Sequence, residues 1–462
     1  MNQREDGNKT PLYRALYEQI KNDIESGKLP ANTRLLSKRK MAEREGVSMS
    51  TVDSAYAQLL CEGFISSRPK SGFFVCELES LHPVAQIDHD PVVPLMAKHE
   101  QYDIDFAITG VDRESFPYST WRRLMKNAFD EYDETLLARS PFQGEEKLRQ
   151  ELVNYLYLSR GVHCTPEQIV VGAGTDNLLQ ILSYILDNRC KIAMENPVYH
   201  ESYLFFRRMG HEVLSIPIDD MGLPVEPLCG YTNLAAYITP AHQFPLGITM
   251  PISRRIGLIN WANEAEGRYL IEDDYDSEFR YNAKPLPALK SIDQNGRVIY
   301  LGSFSRTVSP ALRISYMVLP KELMERYHES CSAFGCSVSK LDQLVLTQFL
   351  KRRHFETHLN KMRKIYREKR AVLAAALRDA FGDRISIQGE NAGQHLLSRH
   401  CGGMSETAMC EAARAAGVRV YPISPYFMGE MPDIYRGIVL LGYATLRAEE
   451  IRKGIEKLRA VW

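Results

Sequence analysis

Apolar residues follow three different spacings along the chain, and each predicts a different architecture. Leu12, Leu16, Ile20 and Ile24 recur every fourth position, which puts them on one face of a helix, and Pro11 suits that helix's first turn. Ser37 and Ser48 each stand where a side chain caps a further short helix, with Gly46 at the turn between them, so the spacing is that of a helix-turn-helix. Phe64 and Ile65 then lead into Arg68-Pro69-Lys70-Ser71-Gly72 and out through Phe73, Phe74 and Val75. Two short strands around a basic tip, a wing, are the expected result.

From about Cys76 to Gln101 the periodicity lapses, and Pro83, Pro91 and Pro94 interrupt a polar stretch that cannot continue a helix. Short apolar runs follow at 168–171, 191–194, 235–238, 268–271, 298–301 and 314–319, separated by helical patterns. Strands alternating with helices predict a mostly parallel sheet covered on both faces. From about Leu341 the chain reads as long helix, strongly basic over 350–370, and then as mixed segments that suggest a smaller α+β subdomain. The expected organisation is multidomain: a winged helix-turn-helix over 9–78, a linker over 79–104 and an α/β domain over 105–462.

A length of 462 residues agrees with more than one domain. With 44% hydrophobic and 25% charged residues and a net charge of −1, the chain is ordinary for a globular protein, and its overall charge points to no partner. Charge is informative only by segment. Residues 1–75 hold 12 Lys and Arg against 9 Asp and Glu, a surplus of the sign that phosphate contact needs. Nine cysteines with no CxxC or Cys/His ligand spacing fit a reducing compartment, the cytoplasm, better than a disulfide framework or a zinc site. The N-terminus lacks a basic-then-apolar signal, and no run approaches the ~18 apolar residues of a membrane span. Neither export nor membrane insertion is expected.

A recognition helix needs short polar residues at its exposed N-terminal end and an apolar face holding it to the domain. Ser48, Met49, Ser50 and Thr51 supply the first, and Val52, Tyr56 and Leu59 the second. Arg34, Arg39, Arg68 and Lys70 are candidates for neutralising backbone phosphates, with Ser37 at a helix start and Gly72 in the wing completing the candidate interface. Segments 11–29 and 34–75 together resemble a GntR-type winged helix, which implies operator DNA as partner.

The larger domain carries residues suited to a pyridoxal phosphate site, which needs a phosphate cradle, an aromatic over the ring, a carboxylate at the ring nitrogen and a lysine for the Schiff base. Gly172-Ala173-Gly174-Thr175 lies between a strand and a helix, where free N–H groups favour an anion. Tyr199 follows the next strand, and Glu272-Asp273-Asp274-Tyr275-Asp276 clusters acids at the carboxyl end of another, the place where open α/β sheets bind ligands. Each has a second reading: a glycine turn for packing, a core tyrosine, a metal-binding or solvated acidic turn.

Seven stretches occur in the order of one family: DFAITGVDRESFP, GAGTDNLLQIL, ENPVYHES, TPAHQFPLGITMP, IEDDYDSEFRY, GSFSRTVSPALRISYMVLP and HLNKMRKIYREKR. From about Asp105 onward the chain resembles a fold-type I aminotransferase-like domain of the kind fused to winged helices in MocR regulators. That resemblance implies that Gly174, Thr175, Ser303, Ser305 and Arg313 hold a cofactor phosphate, Tyr199 stacks on its ring, Asp273 pairs with its nitrogen and Tyr275 contacts its phenolic oxygen. It also implies a homodimer reading two half-sites and a small-molecule effector.

The match fails where catalysis would need it. Ser303-Phe304-Ser305-Arg306 places Arg306 at the family's Schiff-base lysine, and no lysine lies between Lys290 and Lys321. A guanidinium stays protonated and is no amine nucleophile. Leu440 stands where a carboxylate-binding arginine is expected, Glu201 is acidic where some relatives use arginine, and Phe244 replaces an asparagine beside the phenolic oxygen. Arg306 or Arg436 remains as a replacement grip. Three readings follow: a regulator with a sensing domain, a working aminotransferase carrying a winged helix, and a retired site that only dimerises. Arg306 argues against the second, so the expectation is a DNA-binding regulator that is not an enzyme and holds pyridoxal phosphate, if at all, non-covalently.

Overall fold

The structure, a computed structural model, describes residues 11–78, 102–131, 133–187, 189–281 and 286–462. The chain divides into two compact units, with the division between His99 and Glu100. The expected linker lies mostly outside the described residues.

The first unit contains α1 (Leu12–Glu25), α2 (Lys38–Glu45), α3 (Met49–Cys61), β1 (Ile65–Arg68) and β2 (Gly72–Val75). Its helices start and stop where local chemistry dictates. Ser37 accepts a hydrogen bond from the Lys40 amide, Ser48 accepts one from Thr51, and Gly46 closes α2 in the left-handed conformation at φ 64°. The stripe on α1 buries Leu16, Tyr17, Ile20 and Ile24 against Val52, Tyr56 and Leu59 of α3, while Leu12, in the first turn, is left exposed. β1 and β2 pair antiparallel from Ile65 opposite Val75 to Arg68 opposite Gly72, which forms the wing.

In the second unit, β3 (Ile104–Asp105), α4 (Tyr118–Glu131), α5 (Asp133–Leu136) and α6 (Glu146–Arg160) precede the main sheet. There follow β4 (Ile169–Gly172), α7 (Thr175–Ile185), β5 (Lys191–Asn196), α8 (His200–Arg208), β6 (Val213–Pro217), β7 (Leu234–Ile238) and α9 (Ile252–Asn263). β8 (Arg268–Asp274), β9 (Val298–Ser303) and β10 (Ser315–Val318) complete a seven-stranded sheet of order β4-β10-β9-β8-β7-β5-β6. Only β10 runs antiparallel to its neighbours. Both faces are covered, so the central strands are largely buried, and all five residues of β7, LAAYI, are buried. β6, at the sheet edge, has only one buried residue, Ile216, and was not foreseen.

The expected long helix is instead two, α10 (Lys321–Cys331) being followed by α11 (Lys340–Lys351) and α12 (His354–Phe381). Arg353 breaks the run by adopting φ 57°. No proline or glycine marks that break in the sequence. The smaller subdomain comprises β11 (Ile385–Gln388), β12 (His395–His400), α13 (Glu406–Ala415), β13 (Val418–Arg419), β14 (Tyr421–Pro422), β15 (Ile438–Gly442) and α14 (Ala448–Arg459). Four of its strands form an antiparallel sheet ordered β11-β12-β15-β14, and β13 pairs with β3. Among the described residues no helix is long and apolar enough to cross a membrane.

Candidate functional site

In the first unit, the exposed end of α3 carries a small cluster of hydroxyls. Ser48 Oγ accepts from the Thr51 amide at 3.2 Å and lies 2.8 Å from the hydroxyls of both Ser50 and Thr51, with Met49 exposed beside them. An ion pair between Lys38 and Asp53 ties α2 to α3, and exposed Arg39 pairs with Glu43 at 3.2 Å. In the wing, Arg68 packs over the Phe74 ring at 4.3 Å and donates to Asn32 Oδ1 at 3.1 Å. Lys70 sits at the tip with φ 59°. Gly72 has φ 103°, and a Cβ there would fall 3.6 Å from the Arg34 guanidinium. The nine residues expected to meet DNA therefore divide into the start of α2, the start of α3 and the wing with Arg34 against it.

In the second unit, the strands β4, β5, β7, β8 and β9 end on the same edge of the sheet, and their following loops surround a cavity of about 420 Å³. Thr175, Tyr199, Asp273, Tyr275, Ser303, Ser305, Arg306 and Arg313 all line it, so residues spread over 139 positions are brought together. One end gathers a helix start, an arginine and three serine hydroxyls. Gly174 precedes α7 with φ 89°, and a Cβ on it would fall 2.3 Å from Arg313 Nη2. Arg313, itself at φ 51°, bonds the Ala173 carbonyl at 3.2 Å and pairs with Asp176. Ser303 Oγ stands 3.0 Å from Ser305 Oγ, accepts from the Ser305 amide at 3.2 Å and receives the Ser315 hydroxyl at 2.9 Å.

Alternation along β8 separates the acids that the sequence shows as one cluster. Glu272 turns away from the cavity to accept the Leu289 and Lys290 amides at 2.7 and 2.9 Å. Asp274 also turns away, pairing with Arg160 at 2.7 Å and accepting the Tyr300 hydroxyl. Asp273 alone faces the cavity. Burial pushes its carboxyl up to about 6, against the Tyr237 hydroxyl that donates to it.

Several contributors were not singled out from the sequence. His242 Nδ1 lies 2.9 Å from Asp276 Oδ2 and 3.0 Å from the Tyr275 hydroxyl, so a buried His-Asp pair stands behind the tyrosine that lines the cavity. His395, 6.0 Å from His242, is pushed down to about 4 by burial. Glu195, buried and pushed up to about 7 by desolvation, accepts from Thr239 N and Oγ1 at 3.1 and 2.7 Å. Thr239 Oγ1 in turn accepts from the Phe244 amide at 3.2 Å, which holds Phe244 in the cavity wall. The signal was present in TPAHQFP, but nothing in the spacing shows which of its residues turns inward.

The departures on the substrate side also have definite positions. Leu440 is fully buried in an apolar cluster with Ile108, Phe244, Leu397 and Phe427. Arg436 pairs with Asp433 at 2.9 Å and is not among the residues lining the cavity. Arg306 is. It donates through Nη1 to the Ile108 carbonyl and lies 3.4 Å from Gln394 Oε1, with its Cζ 5.7 Å from the centre of the Tyr275 ring. Among the described lining residues there is no lysine.

The model of the gntR family of bacterial regulatory proteins matches residues 12–75, and that of aminotransferase class I and II matches residues 115–458. The chain is 39% identical to the uncharacterized HTH-type transcriptional regulator YdeL of Bacillus subtilis, over 98% of this chain and 97% of that one. It is 32% identical to the probable rhizopine catabolism regulatory protein MocR of Rhizobium meliloti, over 98% and 94% respectively. The chain belongs to the MocR-type family of transcriptional regulators. It joins a GntR-type helix-turn-helix to an aminotransferase-like domain. An archaeal alanine:glyoxylate aminotransferase shares the fold of the larger unit, with a TM-score of 0.70 and 24% identity over 78% of this chain and 90% of that one.

Proposed function

We propose that this MocR-type regulator binds operator DNA through residues 9–78 and uses residues 105–462 to sense pyridoxal phosphate, or a related amine or amino-acid effector, without transaminase activity. Residues 79–104 serve as the linker. The first unit meets DNA with Arg34, Ser37, Arg39, Ser48, Ser50, Thr51, Arg68, Lys70 and Gly72. The cations and wing position it on phosphates, and the hydroxyls of α3 face base edges. A homodimer of such units reads two half-sites in the cytoplasm, where operator DNA lies.

The observation that carries the sensing half is the lining of the cavity: an anion cradle at one end, the Asp273 carboxylate, and an arginine, with no lysine among the described lining residues. These residues fit pyridoxal phosphate held without a covalent bond. Gly174, Thr175, Ser303, Ser305 and Arg313 would hold its phosphate, Tyr199 its ring face, Asp273 its ring nitrogen and Tyr275 its phenolic oxygen. When bound, the cofactor supplies an electron-withdrawing ring and an aldehyde. Arg306 stays charged, so it orients an oxygen by hydrogen bonding but provides no amine for covalent capture or proton transfer.

The test is spectroscopic and by mass. Pyridoxal phosphate is expected to bind and to change the affinity of the full chain for its own upstream DNA. Borohydride is expected to leave the wild-type mass unchanged, whereas Arg306→Lys acquires an adduct. A reduced adduct on the wild type, or transamination by it, overturns the reading.

A further inference from the structure

We infer that Arg306 makes the cavity selective at one atom of its ligand, accepting vitamin B6 phosphates that carry an oxygen on carbon 4′ and rejecting the aminomethyl form. This rests on the reading of the cavity as a B6 site.

The argument begins with how Arg306 is held. Its carbonyl accepts from Gln394 Nε2 at 3.3 Å, and its Nη1 lies between the Ile108 carbonyl and Gln394 Oε1, so both ends of the residue are anchored on one face. A guanidinium has five N–H donors. Nη1 accounts for two of them. Among the described residues no acceptor engages Nε or Nη2, and the side chain lines the cavity. Three donors thus remain for an acceptor on the ligand.

Three carboxylates, those of Asp176, Glu201 and Asp273, line the same cavity, and none of them forms an ion pair with Arg306 among the described residues. Asp176 is taken by Arg313, and Asp273 receives the Tyr237 hydroxyl. Glu201, in the first turn of α8, lines the cavity as well and acts on Tyr199 and Tyr426 in the opposite sense to Arg306. An ammonium placed against Arg306 would meet a like charge, and it has no lone pair with which to accept from the guanidinium's N–H groups. An aldehyde, its hydrate or an alcohol would find three N–H donors. A lysine at this position loses its proton to capture an aldehyde; an arginine cannot.

Calorimetry on the full chain with three ligands sharing one ring and one phosphate tests this: pyridoxal, pyridoxine and pyridoxamine 5′-phosphates. Wild type is expected to bind the aldehyde and the neutral alcohol, and to bind the ammonium form at least about tenfold more weakly than the alcohol. In Arg306→Met the gap is expected to close to within about twofold. Arg306→Gln, which keeps N–H donors but no charge, narrows the gap in the same way if the methionine variant does not fold. An ammonium form that binds wild type as tightly as the alcohol overturns the selectivity and leaves the B6 reading standing. So does a gap that survives in the folded variant. Failure of all three ligands to bind overturns the B6 reading itself and the selectivity with it.

Discussion

The two units solve the problem of placing polar groups in opposite ways. In the first, the candidate DNA contacts lie within 39 consecutive positions, from Arg34 to Gly72, and most are exposed; local devices such as caps and a glycine turn orient them. In the second, the cavity draws on residues from Thr109 to Arg313, and its charged groups are partnered by side chains far away in the chain. Arg160 and Asp274 are both almost fully buried and 114 positions apart. A surface that meets phosphates in water can rely on local geometry, because its charges remain solvated. A cavity that orients a small ligand has to remove charges from water, and the penalty is met only by partners that the tertiary fold delivers.

The largest effects should therefore separate the units. Tyr56 is buried, packs 5.1 Å from Phe73 and donates to the Leu36 carbonyl at 2.9 Å. Tyr56→Ala is expected to cost roughly 3–5 kcal/mol and to abolish DNA binding while pyridoxal phosphate still binds. Arg160→Ala strands the Asp274 carboxylate and is expected to cost a similar 3–5 kcal/mol or so, this time removing ligand binding. Differential scanning calorimetry with both binding assays reads the two cases. If each variant loses both activities, the units are not energetically separate.

Next comes Gly174→Ala. Its methyl would strike Arg313 and would have to accept a positive φ, so a phosphorylated ligand should bind roughly 100-fold more weakly. DNA binding without ligand should not change. Calorimetric titration and a gel-shift assay measure the two.

Smaller is the effect of pH on the ligand site. Asp273 is held up at about 6, above the usual carboxyl range, so the folded chain binds its proton more tightly than the unfolded chain does. The empty protein accordingly loses stability as pH rises from about 4 to about 6. The carboxylate becomes available to a protonated ring nitrogen only above that range. Pyridoxal phosphate affinity should fall about tenfold from pH 7.5 to pH 5. Asp273→Asn should remove this dependence and raise the melting temperature of the empty protein. An unchanged melting temperature would mean that its burial is not costly.

The smallest effects belong to the exposed interface. Ser48→Ala removes the α3 cap and should cost about 1 kcal/mol. Lys70→Ala should weaken DNA binding uniformly across sequences and lower the salt slope by about 1. A sequence-dependent loss at Lys70 would place it on bases rather than phosphates.

Much of the first unit was readable because its signals are local. Ser37, Gly46 and Ser48 mark the ends of helices through bonds to amides and carbonyls a few residues away, and β1 and β2 are joined by a short turn. In the second unit the central strands were readable as apolar runs, since a strand buried on both faces is apolar over most of its length, the acids of β8 gathering at its carboxyl end. Edge strand β6 was not, because its mixed exposure resembles a loop. The break between α11 and α12 was hidden too, since Arg353 takes a left-handed conformation without a residue type that announces it. At the candidate site, Asp273 was legible as one of several acids. Which acid faces the cavity depends on the phase of β8 against its neighbours, and the support of Tyr237 and the His242-Asp276 pair comes from other strands and loops.

The sequence by itself determined the order of the units, the caps, the wing, the apolar strands and the presence of arginine rather than lysine at 306. Each of these is a property of residue type at a given spacing, and it holds whatever the rest of the chain does. Only the tertiary structure decided that Asp273 faces inward while Glu272 and Asp274 face away, that Arg313 pairs with Asp176, and that Arg306 is anchored on the Ile108 carbonyl beside Gln394. Buried charges require partners, and those partners become neighbours only once the sheet has closed around the cavity.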